Sequence, residues 1–208
     1  MKRALTFLIT ALAVIFLAGC PTPQDGAIDL DPLLLKGFED QENAVFTDDF
    51  AALGWGGATV AVEVVEGTGN TQGTKALKVD VSNFKEELNY TDRFGVGWQE
   101  TNRDITGYAG GTLSFSVLLP SQDNYPDDMT ISFKVMLEGG PYPGPQYDLE
   151  TTQKILESDS PQIITIDLPE NLAITNLVRI AVQIIGIDNV PQDPVTFSLY
   201  CDNFVLDD

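Results

Sequence analysis

From residue 28 onward apolar and polar residues alternate along most of the chain, with the period of two that sends successive side chains to opposite faces of a strand. Residues 111–119 carry Leu113, Phe115, Val117 and Leu119 on one face, and residues 129–137 align Ile131, Phe133, Val135 and Leu137. Residues 177–185 set Val178, Ile180, Val182 and Ile184 against Arg179, Ala181, Gln183 and Ile185. Residues 33–40, 58–66, 75–81, 94–100, 162–168 and 195–206 read in the same way. About eight to ten such segments, parted by Gly, Pro, Asn and Asp, predict an all-β chain folded as an antiparallel β-sandwich. Residues 151–158 fit neither period clearly, and no segment carries a sustained helical stripe.

The first and last of these segments each reach an acidic pair or its equivalent, Glu39-Asp40 and Asp202-Asn203. They are expected to lie side by side, with their carboxylates meeting at a shared cation that staples the two ends of one β-domain. Between strands, residues 67–73 supply glycines that tolerate positive φ. A phosphate-cradling glycine loop would need a helix after it, and here a strand follows. Two longer loops are expected at residues 121–128 and 138–147, the second exposing Tyr142 and Tyr147.

Charge narrows the partners. The 208 residues carry 11 basic and 31 acidic side chains, a formal net charge of −20. Such a surface repels nucleic acid, whose phosphates demand a basic patch, and it repels anionic lipid. There is no histidine, which removes the usual general base, the Ser/His and Cys/His nucleophile pairs and most zinc sites. A chain of this length forms one domain without an evident linker.

The amino-terminal segment reads as processing signal. Lys2-Arg3 precede an apolar run from Ala4 to Leu17 that is short for a membrane span, and Leu17-Ala-Gly-Cys20 follows. This resembles the bacterial lipobox, which implies cleavage before Cys20, thioether lipidation of its sulfur and acylation, by palmitate or a similar chain, of its new amine. Residues 1–19 are then a lipoprotein signal peptide, 20–29 the lipidated cysteine with a flexible polar tether, and 30–208 the sandwich. Loss of Lys2 and Arg3 leaves 9 basic against 31 acidic residues, a net −22. Pro21 rather than aspartate after Cys20 implies the outer membrane in a Gram-negative envelope. With Cys20 lipidated, Cys201 has no partner and reads as a small buried apolar residue.

Several motifs, in this order, carry a family resemblance: Gly37-Phe-Glu-Asp40, Trp55, Gly73-Thr-Lys-Ala-Leu-Lys-Val79, Asp104-Ile-Thr-Gly-Tyr108 before Leu113-Ser-Phe-Ser-Val117, and Asp202-Asn-Phe-Val-Leu206. Together, over about residues 33–206, they resemble the β-jelly-roll carbohydrate-binding modules with a galactose-binding-like fold. The resemblance implies a structural calcium bridging Glu39, carbonyls near Gly73 and Lys75, and Asp202, an oxygen-only set that suits a hard cation. The alternative is that Glu39 and Asp202 only cap strand ends.

A sugar site needs an aromatic platform flanked by planar polar side chains, because pyranose rings offer apolar C–H faces and a rim of hydroxyls. The strand faces turned away from the core are where it is expected, with Trp98, Lys134, Arg179 and Gln183 as contacts and Tyr142 and Tyr147 closing the groove. Trp55 and Tyr108 read rather as core or turn packing. Glycoside hydrolysis would need two carboxylates across the scissile bond; Glu63 and Glu66 do not share a face cleanly, and Glu86-Glu87 fall in a loop. The chain is therefore expected to be a monomeric, non-catalytic, lipid-anchored binder of polysaccharide or glycan. A surface lipoprotein for adhesion or assembly without a sugar ligand, or a glycan hydrolase using Asp/Glu pairs, are the alternatives.

Overall fold

The computed structural model describes residues 33–39, 43–48, 57–69, 71, 73–98, 103–141 and 143–208. The leader, Cys20 and the tether lie outside these residues, as do Asp40, Trp55 and Tyr142. No helix among the described residues is long and apolar enough to cross a membrane.

Among the described residues eleven strands follow one another: β1 (Leu33–Lys36), β2 (Asn43–Asp48), β3 (Thr59–Glu66), β4 (Lys75–Phe84), β5 (Arg93–Trp98), β6 (Thr112–Leu118), β7 (Thr130–Gly139), β8 (Gln146–Glu150), β9 (Gln162–Asp167), β10 (Leu177–Asp188) and β11 (Val195–Asp207). They form two antiparallel sheets. One has the order β3-β4-β11-β6-β9 with β1 also paired to β11, and the other has the order β2-β5-β10-β7-β8. The all-β sandwich expected from the alternation is the observed architecture.

The alternation decides which faces meet. In β10 Ile180, Val182 and Ile184 are fully buried between the sheets, while Arg179, Gln183 and Ile185 point outward and are half-buried. Phe115 of β6 links the layers: its ring stacks on Phe204 at 4.8 Å and meets Phe133 of β7 edge-on at 5.5 Å. Phe38, just after β1, closes the same cluster edge-on against Phe204. Aromatic pairs in these geometries add to the burial that drives the layers together.

The expected pairing of the chain ends is present. Leu33 faces Leu206 and Leu34 faces Val205. One edge of β11 serves two partners in turn, β4 along residues 195–201 and β1 along 204–206. Its register shifts between Asp202 and Val205 against β6, and Asn203 takes φ 56°, the left-handed region that Asn tolerates better than most residues. Asp202 therefore stands where β11 changes partner.

Two strands were not legible in the alternation. β8 occupies the end of the expected 138–147 loop and continues beyond it. The Gly139 N–H donates to Pro145 O across the connection, at 2.9 Å. Its sequence, QYDLE, holds only two apolar residues and side chains with poor strand propensity, so the pattern is weak. β2 is the other. Residues 151–158 run extended beside β7, with Ile155 and Ile131 exchanging backbone hydrogen bonds.

Candidate functional site

The outward face of the β2-β5-β10-β7-β8 sheet carries three of the six expected contact residues, Lys134, Arg179 and Gln183. Register sets them in rows across the strands. Gln183 stands opposite Lys134, which stands opposite Glu150. Next come Phe46, Gly95, Ala181, Met136 and Asp148, and beyond them Gly97, Arg179 and Glu138. Gly95 is required here, because a Cβ would stand 2.0 Å from the Ile180 carbonyl oxygen.

A cavity of about 590 Å³ opens on the Gln183 row. Lys134, Gln183 and Glu150 line it, Tyr90 and Ile185 bound one end, and Arg93, Met136 and Asp148 bound the other. Its size falls within the roughly 300–1,000 Å³ typical of small-ligand sites. The Lys134 ammonium is ion-paired with Glu150, and Gln183 Nε2 donates to Thr91 O at 2.7 Å. The cavity thus offers one aromatic ring, a thioether, the amides of Asn89 and Gln183, and charged groups already in ion pairs.

Arg93 crosses the sheet. From β5 it passes over β10 and β7, a backbone gap of roughly 14 Å at the usual strand spacing, to reach Asp148 of β8 at 3.4 Å. On the way its Nη1 donates to Met136 Sδ at 2.6 Å. Met136 and Ala181, although on the outward face, are only 2% and 1% exposed.

Arg179 lies outside the cavity, on the far side of Arg93. It pairs with Glu138 at 2.5 Å and with Asp48 at 3.1 Å, its guanidinium 5.0 Å from the ring centre of Phe46. Lys134 and Gln183 are thus brought together and Arg179 is set apart from them on the same face. Tyr147 does not close the groove. It pairs with buried Leu137 on the inward side of β8, its ring packs on the core, and its hydroxyl donates to Asn171 O and accepts from the Ala173 N–H. The expectation failed because an unrecognised strand turns alternate residues inward. Trp98 ends β5 opposite Asn43, and its side chain lies outside the described residues, as does Tyr142. Tyr108 is buried, as expected of packing.

Tyr90, Arg93, Asp148 and Glu150 were missed. Arg93 had a signal, since Arg-Phe-Gly-Val-Gly-Trp places it on the same face as two glycines over which a long side chain can lie. Asp148 and Glu150 had none, because their strand was read as loop.

The two acidic ends converge on one loop from different directions. Glu39 Oε1 accepts from the N–H groups of Thr74 and Lys75, both at 2.7 Å, and its carboxyl is held below the usual carboxylate range by these bonds, that from Lys75 first. Asp202, fully buried, accepts from the Thr71 N–H at 2.6 Å. Gly69 lies on Tyr200, where a Cβ would stand 2.3 Å from that residue's own Cβ. Both acidic ends are thus tied to the same loop by hydrogen bonds. In a trans peptide the N–H and the carbonyl of the preceding residue point in opposite directions, so the Gly73 and Thr74 carbonyls are turned away from Glu39, which takes the Thr74 and Lys75 N–H groups. Glu39 Oε1 takes both amide hydrogen bonds, and Oε2 accepts from the Thr74 hydroxyl at 3.1 Å. Among the described residues no group of three or more acidic or cysteine side chains could hold a metal ion. Cys201, buried beside Asp202, has its thiol pushed well up by burial and then by that neighbouring charge, which makes it inert.

No family model matches the chain, and no curated protein is similar to it in sequence. Solved structures are similar to it in fold. A carbohydrate-binding module of the β-sandwich superfamily, described for its promiscuous specificity, superposes with a TM-score of 0.52 at 17% identity, over 82% of this chain and 60% of that one. The chain thus spans less than two thirds of that protein. The module CBM27-1 of Caldicellulosiruptor saccharolyticus, solved in complex with mannohexaose, gives 0.54 at 16% identity over 86% of this chain and 97% of that one. Part of an exo-β-agarase gives 0.50 at 12% identity, with 25% of that chain covered. The structural neighbours include carbohydrate-binding modules, and the likeness is one of fold.

Proposed function

We propose that the protein is a non-catalytic glycan-binding module whose ligand occupies the cavity on the outward face of the β2-β5-β10-β7-β8 sheet. The observation that carries this is the meeting of Lys134, Gln183 and the Tyr90 ring around one cavity of about 590 Å³, which supplies hydrogen-bonding groups and an apolar surface for a sugar ring. The neighbours of like fold named as carbohydrate-binding modules support it.

The absence of catalysis is supported by the placing of the acids. Asp148 and Glu150 both stand on β8, each paired with a cation, and no carboxylate faces them from the β5 or β10 side among the described residues lining the cavity. A glycosidase needs its two carboxyls on either side of the bond it breaks. Anchoring through a lipid on Cys20, at the outer membrane of a Gram-negative cell, belongs to the same proposal and rests on Leu17-Ala-Gly-Cys20 and Pro21. Metabolic labelling with a palmitate analogue tests it, and label persisting in Cys20→Ser would remove it. Calcium is proposed only at the Asp202 end of the 67–75 loop, supported by the complete burial of that carboxylate. A melting temperature unchanged by chelator would withdraw it.

Affinity electrophoresis through gels cast with mannans, β-glucans and agarose tests the main proposal. Retardation by one of them, reduced in Gln183→Ala, is the expected result. Free migration in every gel would turn the reading toward an adhesion or assembly module.

A further inference from the structure

The cavity stops at Arg93. The sheet face continues past it through Ala181, Met136 and Gly95 to Arg179, yet Arg179, Glu138 and Phe46 are not among the residues that line the cavity. What ends it is the side chain of Arg93, which lies along the face from β5 to β8, bonded to Met136 Sδ and to Asp148. The near-complete burial of Met136 and Ala181, both on the outward face, shows that the floor of the row is covered. A polysaccharide laid along the face would have to pass through that covered row to leave the cavity.

We infer that the Arg93–Asp148 pair is a specificity bar that closes one end of the site, so that the module takes a glycan chain end or a short oligosaccharide rather than an internal stretch of polymer. The inference rests on the proposed glycan-binding function and specifies its ligand class. Two further features support it. The volume falls within the range of small-ligand sites. On the other side of the bar, Arg179 is engaged on both flanks, by Glu138 and by Asp48, and lies over the Phe46 ring, so the space that would continue the groove is also filled by a held side chain.

The bar is held by Met136 Sδ as well as by Asp148. Arg93 is 21% exposed and packed on the sheet, whereas Asp148 is 64% exposed on β8, at the edge of the sheet. Removing the Asp148 carboxylate loosens the far end of the bar, and removing the Arg93 side chain takes the bar away.

The test varies chain ends at constant mass. A polysaccharide that retards the protein, such as a β-mannan or β-glucan, is partly cleaved by acid, its ends are counted by reducing-sugar assay, and binding of the full-length protein is titrated by calorimetry before and after. The wild type is expected to gain binding sites per gram in proportion to the ends created, and its affinity for the matching oligosaccharides to level off before the hexasaccharide. In Asp148→Ala, and in Arg93→Ala as a second variant that removes the bar itself, capacity on the uncleaved polymer is expected to rise, at least fivefold in Arg93→Ala, and to become less dependent on cleavage. Thermal melts confirm that each variant is folded. The inference is overturned if wild-type capacity follows polymer mass, or if both folded variants still count ends as the wild type does. Binding of no glycan by any of the three proteins would instead bring down the glycan-binding function itself.

Discussion

Gly73 lies so close under Glu39 that a Cβ on the glycine would stand 2.4 Å from the carboxyl carbon. The contact joins the segment after β1 to the loop before β4. Gly73 also holds φ at +70°, where an L side chain is strained. Gly73→Ala is expected to lower stability by about 1–3 kcal/mol through both effects, measured by chemical denaturation against the wild type. A change within experimental error would show that the loop can move away without cost.

The same carboxylate makes a pH prediction. Glu39 is held below its ordinary value of 4.5 by the Lys75 and Thr74 amides, so the folded state binds its proton more weakly than the unfolded one. The stabilisation is then complete above about pH 4.5 and is lost as pH falls through the lower, folded value. Glu39→Gln is expected to melt below the wild type at neutral pH and to converge with it in acid. Parallel melting curves at all pH values would contradict the assignment.

Phe115 touches Phe204 in its own sheet and Phe133 in the opposite one. Phe115→Ala removes both contacts and leaves a cavity between the layers, at an expected cost of about 3–5 kcal/mol. Equilibrium urea unfolding reads it directly, and a loss below about 1 kcal/mol would mean that the layers close over the gap.

Tyr147 and Gln183 separate structure from binding. Tyr147→Phe deletes a hydroxyl that ties β8 to residues 171 and 173, and should cost about 0.5–1.5 kcal/mol of stability with glycan affinity unchanged. Gln183→Ala loses its bond to the Thr91 carbonyl and should cost a similar amount of stability, but it should also weaken binding of the proposed glycan about tenfold, equivalent to roughly 1.4 kcal/mol. The opposite pattern in calorimetry would return Tyr147 to the site.

Where one face of a strand was apolar and long, the sequence was enough. β6, β7 and β10 show four aligned apolar residues each, and knowing which face is inward also told which face carries Lys134, Arg179 and Gln183. The pairing of β1 with β11 was legible for a similar reason, since both are apolar runs with an acidic close. β8 was hidden because its inward face is only Tyr147 and Leu149, and with it went the side on which Tyr147 lies and the presence of Asp148 and Glu150. The bar formed by Arg93 was beyond any local pattern: residues 93 and 148 are far apart in sequence and meet only because β5, β10, β7 and β8 are laid side by side. The meeting of Glu39 with residues 74 and 75 was anticipated in place, but alternation is silent about which way a peptide plane faces and so about the amide hydrogen bonds.

The ladder between β1 and β11 bears on how the domain carries load. A pull arriving through the chain ahead of Leu33 acts first on β1, a strand of four residues that is held to one neighbour. Behind it stands Glu39, clamped to the amides of Thr74 and Lys75. In a force-extension experiment β1 should peel first and the clamp should yield second, with the second event missing in Glu39→Ala, which removes the acceptor oxygen. Until that second rupture the sheet bearing the cavity, on the other side of the sandwich, stays unloaded, so a short sacrificial strand shields the proposed binding face from tension.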